Sequence, residues 1–434
     1  MSSRWPLTNL GVHAEIVTGF PFKSNEFVSS GVRLARGMNV KRGVFEWSDE
    51  QTKFWPGISD ELRKYQLEVG DVLVGMDGSR VGENFVCVAS TDLPCLLVQR
   101  VARIRGSETL DQGFVRYLIC NPVFTEYVKA VHTGTSIPHI SPTQISQFPI
   151  PLPPMPEQRT IASILSAFDD KIELNRLTAE TLEAMARAVF KSWFVDFDPV
   201  HAKAAGRAPE WMDAETAALF PDRFGEDGLP EGWTVEAVSS MVTILSGGTP
   251  KTSIADYWDG DIPWFSVADT PNGQPWVDST VKAITDLGLD ACSAKLLEPG
   301  TTIVTARGTV GKVALAARKM TINQSCYALK STQALGDFGC YCMTVSIVDR
   351  LKQSAHGSVF DTITRETFSA IETVNPSRDC GAAYESAVAD WFREMLVAVR
   401  QSASLTATRD FLLPRLLSGE LRVDDAEKVA EGVL

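Results

Sequence analysis

The most regular pattern of apolar residues begins just after Glu157. Apolar side chains recur there in alternating steps of four and three, with one interruption at the polar Asn175, at Ile161, Leu165, Phe168, Ile172, Ala179, Leu182, Ala186, Val189 and Trp193. This is the heptad spacing of a coiled-coil helix. Because no Pro or Gly occurs between Glu157 and Asp196, the pattern predicts one helix of about 40 residues, roughly 60 Å long at about 1.5 Å per residue.

A weaker stripe repeats this register in the second half of the chain, at Tyr384, Val388, Trp391, Met395, Ala398, Ser402, Leu405, Arg409, Leu412 and Leu416. Two stripes in one register favour packing of the two helices against each other, although such a stripe is also typical of an ordinary core. Asn175 falls at a core position. A polar residue there either fixes the register of the pair or faces solvent on a curved helix, and the sequence leaves both interpretations open.

The remaining sequence also repeats itself. Trp5 matches Trp233 at an offset of 228, Leu67–Val74 resembles Leu297–Val304 at 230, and Ile140 corresponds to Ile363 at 223, the offset that also relates the two stripes. Each half begins with short apolar runs broken by Gly, Asp-Gly and Pro, which predicts strands, turns and a few helices. Five prolines between Pro149 and Pro156 predict a stiff, extended connection to the first long helix.

The predicted fold class is therefore α+β, with two globular domains in a pseudo-two-fold tandem repeat, separated by two long antiparallel coiled-coil helices. The predicted segments are a first globular domain 1–152, a first long helix 153–197, a linker 198–232, a second globular domain 233–379, a second long helix 380–421 and a C-terminal tail 422–434.

Composition excludes several classes of protein. With 44% hydrophobic and 22% charged residues in 434, the chain is an ordinary folded protein and not a disordered one. It has no apolar run of about 18 residues and no secretory signal pattern, so no membrane span and a cytoplasmic location are expected. Its eight cysteines lack paired spacing, which predicts free thiols. Cys340 and Cys342 have no second pair or neighbouring histidine, so no metal site is expected.

Charge gives an ambiguous signal about nucleic acid. The net charge of −13 argues weakly against a phosphate-binding protein. Much of the acidity lies in residues 197–232, which carry 3 basic and 8 acidic residues, whereas residues 1–150 carry 15 of each. Short basic groups occur in both halves, at Arg33, Arg36, Lys41 and Arg42, at Arg100, Arg103 and Arg105, and at Arg307, Lys312, Arg318 and Lys319.

Catalytic motifs are not apparent. The segment Gly308–Lys312 resembles a phosphate-binding loop, but Ala306 replaces the required glycine and Val313 replaces the magnesium-binding Ser or Thr. Leu152–Met155 lacks the flanking residues of a methyltransferase loop, and no nuclease motif is found. We therefore expect no catalytic residue in this chain.

Several longer stretches resemble one known family, the specificity subunits of type I restriction-modification systems. They are Pro153–Ala162, Asp169–Asn175, Phe190–Pro199, Gly260–Trp264, Thr305–Gly311 and Leu412–Leu421. The resemblance covers nearly the whole chain, and the first domain departs most, with Gly75–Arg80 in place of a Thr-Ala-Arg-Gly loop.

The resemblance implies a division of labour. Each globular domain would be a target-recognition domain that reads half of a bipartite double-stranded DNA site, and the long helices would set the spacer and dock two methylation subunits. Restriction subunits, which carry the motor and nuclease, would join them. Adenine-N6 methylation and ATP-dependent cleavage would belong to these partners, with S-adenosylmethionine, ATP and magnesium as their cofactors and none in this chain. The alternatives are a coiled-coil scaffold without DNA, an orphan DNA-binding protein that has lost its partners, and an enzyme with unfamiliar motifs.

Polar side chains in loops between strands are the candidates for base reading, because Arg, Lys, Asn and Gln can bond base edges bidentately. The candidates are Lys23, Arg36, Ser79, Arg80 and Ser136 in the first domain and Thr249, Lys251, Trp264, Ser266, Arg307, Thr309 and Lys312 in the second. Any of them could instead be solvated surface or part of a turn. Gly78, Gly134, Gly308 and Gly357 are expected to shape the loops.

Overall fold

The computed structural model describes residues 4–134, 138–332, 334–355 and 362–434. The chain forms two compact units: residues up to Lys171 together with Leu405 onward make the first, and Ile172–Ser404 make the second. Two long helices, Met155–Phe194 and Arg378–Ser418, each contribute residues to both units.

The chain up to Phe194 contains nine strands and five helices among its described residues. The strands are β1 Leu7–Asn9, β2 Ala14–Thr18, β3 Val32–Ala35, β4 Phe54–Trp55, β5 Val72–Gly75, β6 Phe85–Cys87, β7 Cys95–Leu97, β8 Val101–Gly106 and β9 Pro149–Pro151. The helices are α1 Leu10–His13, α2 Gln112–Ile119, α3 Pro122–Val131, α4 Pro142–Ser146 and α5 Met155–Phe194.

The described chain from Asp198 onward repeats this order with additions. Its strands are β10 Thr234–Ala237, β11 Val242–Ser246, β12 Trp258–Phe265, β13 Trp276–Val277, β14 Ala283–Ile284, β15 Thr302–Thr305, β16 Val313–Ala316, β17 Thr321–Ile322, β18 Cys326–Ser331 and β19 Glu372–Asn375. Its helices are α6 Asp198–Ala204, α7 Ala214–Leu219, α8 Val238–Met241, α9 Asp286–Asp290, α10 Asp337–Ser346, α11 Val348–Ala355, α12 Arg365–Ala370, α13 Arg378–Ser418 and α14 Val423–Glu431.

In each unit two sheets enclose an apolar core. The first unit has an antiparallel sheet in the order β2-β8-β5-β6 and a smaller one in the order β4-β3-β7, in which β3 and β7 are parallel. Ala35 and Leu97 of the smaller sheet share a buried cluster with Leu73 and Val86 of the larger. The second unit has the corresponding sheets, β11-β18-β15-β16-β13 and β14-β12-β17. Burial between two sheets explains why these strands are short apolar runs.

Strand register proves the tandem repeat. Ala14 of β2 pairs with Gly106 of β8, and Val242, the counterpart of Ala14 in the repeat, pairs with Ser331 of β18. The parallel pairs agree in the same way, since Leu34 pairs with Leu96 and Trp264 pairs with Thr321. A one-residue slip would turn every side chain to the other face of its strand. The agreement therefore confirms the predicted fold class of two like α+β domains with two long helices.

Within each unit, part of α5 packs against part of α13. In the first unit Ile161, Leu165 and Phe168 of α5 and Leu412 and Leu416 of α13 are buried. In the second unit Tyr384 Oη donates to the carbonyl oxygen of Ala186 at 2.9 Å, while Asn175 lies beside Ser402. Residue numbers rise along α5 as they fall along α13, so the two segments are antiparallel.

Asn175 is buried and bonded to the other helix. Its Nδ2 donates to Gln401 Oε1 at 3.0 Å and to Ser402 Oγ at 3.2 Å. A side chain satisfied in this way resists a shift in register, because any slip would leave its amide buried without a partner. This favours the register interpretation over the solvated one.

The seam differs in detail from the sequence stripe. Ile172, Leu182, Val189 and Trp391 are half-buried, and Phe392 is fully buried beside Trp391. The Phe392 ring stacks on Phe338 with ring centroids 4.2 Å apart. The α13 stripe therefore widens where it meets the second domain.

The structure refines four of the predicted segments. The long helices span 155–194 and 378–418 instead of 153–197 and 380–421. The linker 198–232 contains α6 and α7, and its Phe220 packs edge-on against Trp193 at 5.1 Å, so this segment joins the core of the second unit. The tail 422–434 forms α14, whose Ala426 and Ala430 are buried. The glycines and prolines of the linker predicted turns. They gave no indication that its apolar residue Phe220 would be buried.

A partly buried ionic cluster joins the two helices in the first unit. Asp169 of α5 accepts hydrogen bonds from Tyr117 Oη at 2.8 Å and from Arg409 Nη1 of α13 at 2.6 Å, and it pairs with Arg116 Nη2 at 2.8 Å. These four side chains line a cleft of about 530 Å³. In the second unit the counterpart of Asp169 in the repeat is Phe392. An aromatic core therefore replaces the ionic cluster there.

Replacing Val388 by Ala is expected to lower the free energy of unfolding by roughly 2 kcal/mol, because two methyl groups leave a fully buried site. The matched control is Val397→Ala on the same helix, where the side chain is exposed and the change should stay within about 0.5 kcal/mol. Urea denaturation followed by circular dichroism measures both. Equal losses would contradict the assignment of Val388 to the seam.

Asp169→Ala is expected to destabilise the chain by about 2 to 3 kcal/mol, since Arg116 and Arg409 would lose their shared counter-charge in a partly buried site. Its neighbour Asp170 is exposed, so Asp170→Ala serves as the control and should have little effect. Thermal denaturation of the two variants at neutral pH compares them. A harmless Asp169→Ala would show that the cluster does not hold the helices together.

Candidate nucleic-acid interface

Loops from several strands meet at one end of the sheets in the second domain. Both β11 and β15 end beside the start of β18, because they are antiparallel to it. In the other sheet β12 and β17 end side by side, because they are parallel. Backbone hydrogen bonds tie the loops together, from Gly248 N to Ile322 O at 3.0 Å, from Asn323 N to Phe265 O at 2.9 Å and from Ala306 N to Ser325 O at 2.7 Å. We call residues 247–251, 266, 306–312 and 323–325 the second loop surface.

Cationic side chains project from the second loop surface. Arg307, Lys312 and Lys251 are exposed, and neither Arg307 nor Lys312 forms an ion pair with any other described residue. Thr309 is exposed on the same loop. Unpaired cations beside hydroxyl groups can contact phosphates and base edges.

The arginine loop has a defined shape. Thr305 Oγ1 accepts a hydrogen bond from Lys312 N at 2.9 Å across the loop. Gly308 and Gly311 have φ values of +79° and +80°, in the left-handed region where a side chain would be strained. Gly308 shapes the loop, as the sequence predicts.

Two predicted DNA-contacting residues in this domain have structural roles. Trp264 is only 8% exposed, and its Nε1 donates to the carbonyl oxygen of Gly248 at 2.9 Å. Ser266 donates to Asp269 Oδ2 from both its backbone nitrogen and its hydroxyl group, each at 2.8 Å. Both side chains therefore hold the loops in place. Thr249 is half-buried and bonded to Gln324 of the neighbouring loop.

The first domain has an equivalent surface. Gln99 N donates to Phe20 O at 3.0 Å, Val98 N to Ala35 O at 3.1 Å, and Met76 N to Arg100 O at 2.9 Å. The last two bonds match those of Asn323 and Ala306 in the second domain. We call residues 19–23, 36, 76–81, 98–100 and 138–140 the first loop surface.

The predicted residues of the first domain occupy different settings. Ser79 and Arg80 are exposed on the loop that follows β5. Lys23 is exposed 3.7 Å from Glu26, and Arg36 is half-buried with its guanidinium 5.9 Å from the centre of the Phe27 ring. Ser136 and Gly357 lie outside the described residues.

Sequence reasoning missed polar residues on both surfaces. In the first domain they are Asp77, Arg100 and His139, and in the second Asn323, Gln324 and Ser325. The repeat could have located Asp77, because it is the counterpart of the predicted Arg307. Composition could not distinguish Arg100 from its basic neighbours. The structure does, because Arg103 is buried against Glu15 at 2.6 Å and Arg105 is paired with Asp71 at 2.7 Å.

Comparison with known proteins decides the family. The model of the family described as "Type I restriction modification DNA specificity domain" matches residues 14–184 and again 230–376. The chain belongs to this family. The two matched ranges cover most of the two domains of the tandem repeat, so the DNA specificity domain is present twice. The resemblance inferred from the sequence motifs is confirmed.

Individual relatives agree with the family. The chain is 30% identical over 354 residues to the type I restriction enzyme HindI specificity subunit of Haemophilus influenzae, an alignment that covers 71% of this chain and 77% of that protein. It is 24% identical over 351 residues to the MjaIX specificity subunit of Methanocaldococcus jannaschii, with 80% and 77% covered. The S subunit of a type I restriction-modification system from M. genitalium has a similar fold, with a TM-score of 0.54 over 96% of each chain at 14% identity.

Over the described residues no helix is both long and apolar enough to cross a bilayer. Within the same part of the chain no three His, Cys, Asp or Glu side chains come together as metal ligands. The eight cysteines are free thiols, and burial raises the pKa of Cys95 and of Cys340 to about 12. These two thiols therefore stay protonated at neutral pH.

Trp264→Phe is expected to lower the free energy of unfolding by about 1 to 2 kcal/mol, because the buried carbonyl oxygen of Gly248 would lose its donor. Trp211 is fully exposed in the same unit, so Trp211→Phe is the matched control and should leave stability unchanged. Chemical denaturation of both variants measures the difference. Unchanged stability of Trp264→Phe together with an altered sequence preference would instead support the predicted DNA contact of Trp264.

Proposed function

We propose that this chain is the subunit that selects DNA sequence in a type I restriction-modification complex, with each domain reading half of a bipartite double-stranded site. One observation carries the proposal. The two domains agree in strand register yet end in loop surfaces with different polar side chains. A repeated framework with unlike loops suits two unlike half-sites, since base contacts specify sequence and the framework positions them.

In this proposal catalysis belongs to partner subunits and none to this chain. Two methylation subunits would transfer methyl groups to adenine N6 from S-adenosylmethionine, and restriction subunits would use ATP and magnesium for translocation and cleavage. The long helices would set the spacer between the half-sites and dock the methylation subunits. Exposed Leu174, Leu177 and Met185 on α5 support such docking, because clustered apolar side chains on a surface commonly mark a protein contact.

The deciding experiment maps methylation by long-read sequencing in cells that express this chain with its methylation subunit. The expected result is a two-part motif with a fixed gap, absent from a control without this chain. Exchanging residues 1–152 or 233–379 for those of a relative should change one half of the motif. A complex that assembles and gives no sequence-dependent methylation would favour the scaffold or orphan alternative.

Arg307→Ala is expected to relax discrimination at a base pair of the second half-site by about 1 to 3 kcal/mol, because a guanidinium can bond a base edge bidentately. The control is Arg318→Ala in the same domain. Arg318 is exposed but lies between β16 and β17, at the other end of β16 from the Arg307 loop. Binding of the assembled complex to a panel of duplexes measures both. Equal effects of the two variants would indicate a general charge contribution and no base reading.

A further inference from the structure

A charged triad lies on the first loop surface. Arg100 Nη1 donates to Asp77 Oδ2 at 2.8 Å, and His139 Nδ1 bonds the other carboxylate oxygen, Oδ1. The Arg100 side chain is 61% exposed, whereas that of Asp77 is 25% exposed. The carboxylate is thus held below the surface while the guanidinium reaches out.

The backbone at Arg100 is unusual. Its φ of +74° lies in the left-handed region, which costs an L-residue free energy and is typical of functional positions when the surrounding structure enforces it. Here the enforcing contacts are the bond from Met76 N to Arg100 O at 2.9 Å and that from Val101 N to Val98 O at 3.2 Å. The turn between β7 and β8 therefore places this arginine in a fixed position beside Asp77.

Stability does not explain the triad. An ion pair whose arginine is 61% exposed contributes little to folding. A carboxylate on a surface that approaches DNA phosphates would be repulsive unless it served to orient a cation. The Arg100–Asp77 bond uses one of the five N–H donors of the guanidinium. The remaining donors form no other hydrogen bond with the described residues, so a planar fork is left for a ligand.

We propose that Arg100, oriented by Asp77, reads a guanine in the half-site of the first domain. The inference rests on the proposed function, and it names one base that the first domain reads. A guanidinium fork matches the O6 and N7 acceptors of guanine in the major groove, and a lysine cannot reproduce that geometry. Asp77 is the positioning residue, because it acts on the base through Arg100, and His139 fixes the second oxygen of the carboxylate.

The second domain presents its cation differently. In the repeat Arg307, on the loop after β15, is the counterpart of Asp77, and Ser325 is the counterpart of Arg100. The charge has moved from one loop to the other within the same framework. The two domains accordingly read different bases, and the guanine assignment applies to the first half-site alone.

The test uses the assembled methylation complex and a panel of duplexes in which each position of the mapped motif is changed in turn. Arg100→Lys keeps the charge and should lose the preference for guanine at one position of the first half-site by roughly 5- to 150-fold. Asp77→Asn should reduce the same preference less. Neither variant should alter the second half-site. The control is Arg63→Ala, an exposed arginine in the short 3-10 helix Asp60–Tyr65, which should leave the motif intact.

The outcomes separate this inference from the proposed function. An unchanged guanine preference in Arg100→Lys, or a first half-site without a guanine on either strand, would overturn the reading of guanine by Arg100. A uniform loss of binding over all sequences would assign Arg100 to a phosphate and also overturn it. A wild-type complex that shows no bipartite motif would instead overturn the proposed function. Circular dichroism of each variant confirms that it is folded before binding is measured.

Discussion

The structure depends on how each long helix buries its apolar stripe. A solvated helix of about 40 residues has no tertiary stabilisation of its own, and α5 and α13 supply it to each other within each unit. The apolar seam is non-directional and would tolerate a shift by one heptad. Polar contacts prevent that shift. Asn175 meets Gln401 and Ser402 in the second unit, and Asp169 meets Arg409 in the first. The register of the helix pair therefore depends on a few polar bonds within an apolar stripe.

The two halves share a backbone and differ in chemistry. Strand register is tightly specified, because a slip of one residue would expose a buried face, and it agrees between the domains at every pair compared above. Side chains outside that constraint diverge freely. The position of Asp169 in the first half holds Phe392 in the second, and the position of Asp77 holds Arg307. The same framework thus accommodates an ionic cluster with an open cleft in one unit and a filled aromatic core in the other.

The long helices and the repeat could be predicted from the sequence, because heptad spacing and a nearly constant offset survive substitution of individual residues. The loop surfaces could not be predicted in full. A residue type does not say whether its polar atom faces a ligand or another part of the same chain. Trp264 bonds the carbonyl oxygen of Gly248, and Ser266 bonds the carboxylate of Asp269. Neighbouring arginines are equally ambiguous. Arg103 and Arg105 lie on β8 and pair with Glu15 and Asp71, whereas Arg100 precedes the strand, pairs with Asp77 and is 61% exposed.

The same local arrangement explains how an acidic chain could bind DNA through the two loop surfaces, as proposed. At physiological salt, charges separated by more than about 8 Å are largely screened, so the total of −13 matters less than the charges on the loops. On the first loop surface Asp77 is bonded to Arg100 and His139, so its carboxylate is compensated. On the second, Arg307 and Lys312 project without a paired acid among the described residues. A surface that has only a few cations, each held at a defined position, gains little non-specific affinity from DNA phosphates. It therefore depends more on the correct bases, which is what a protein that selects one sequence requires.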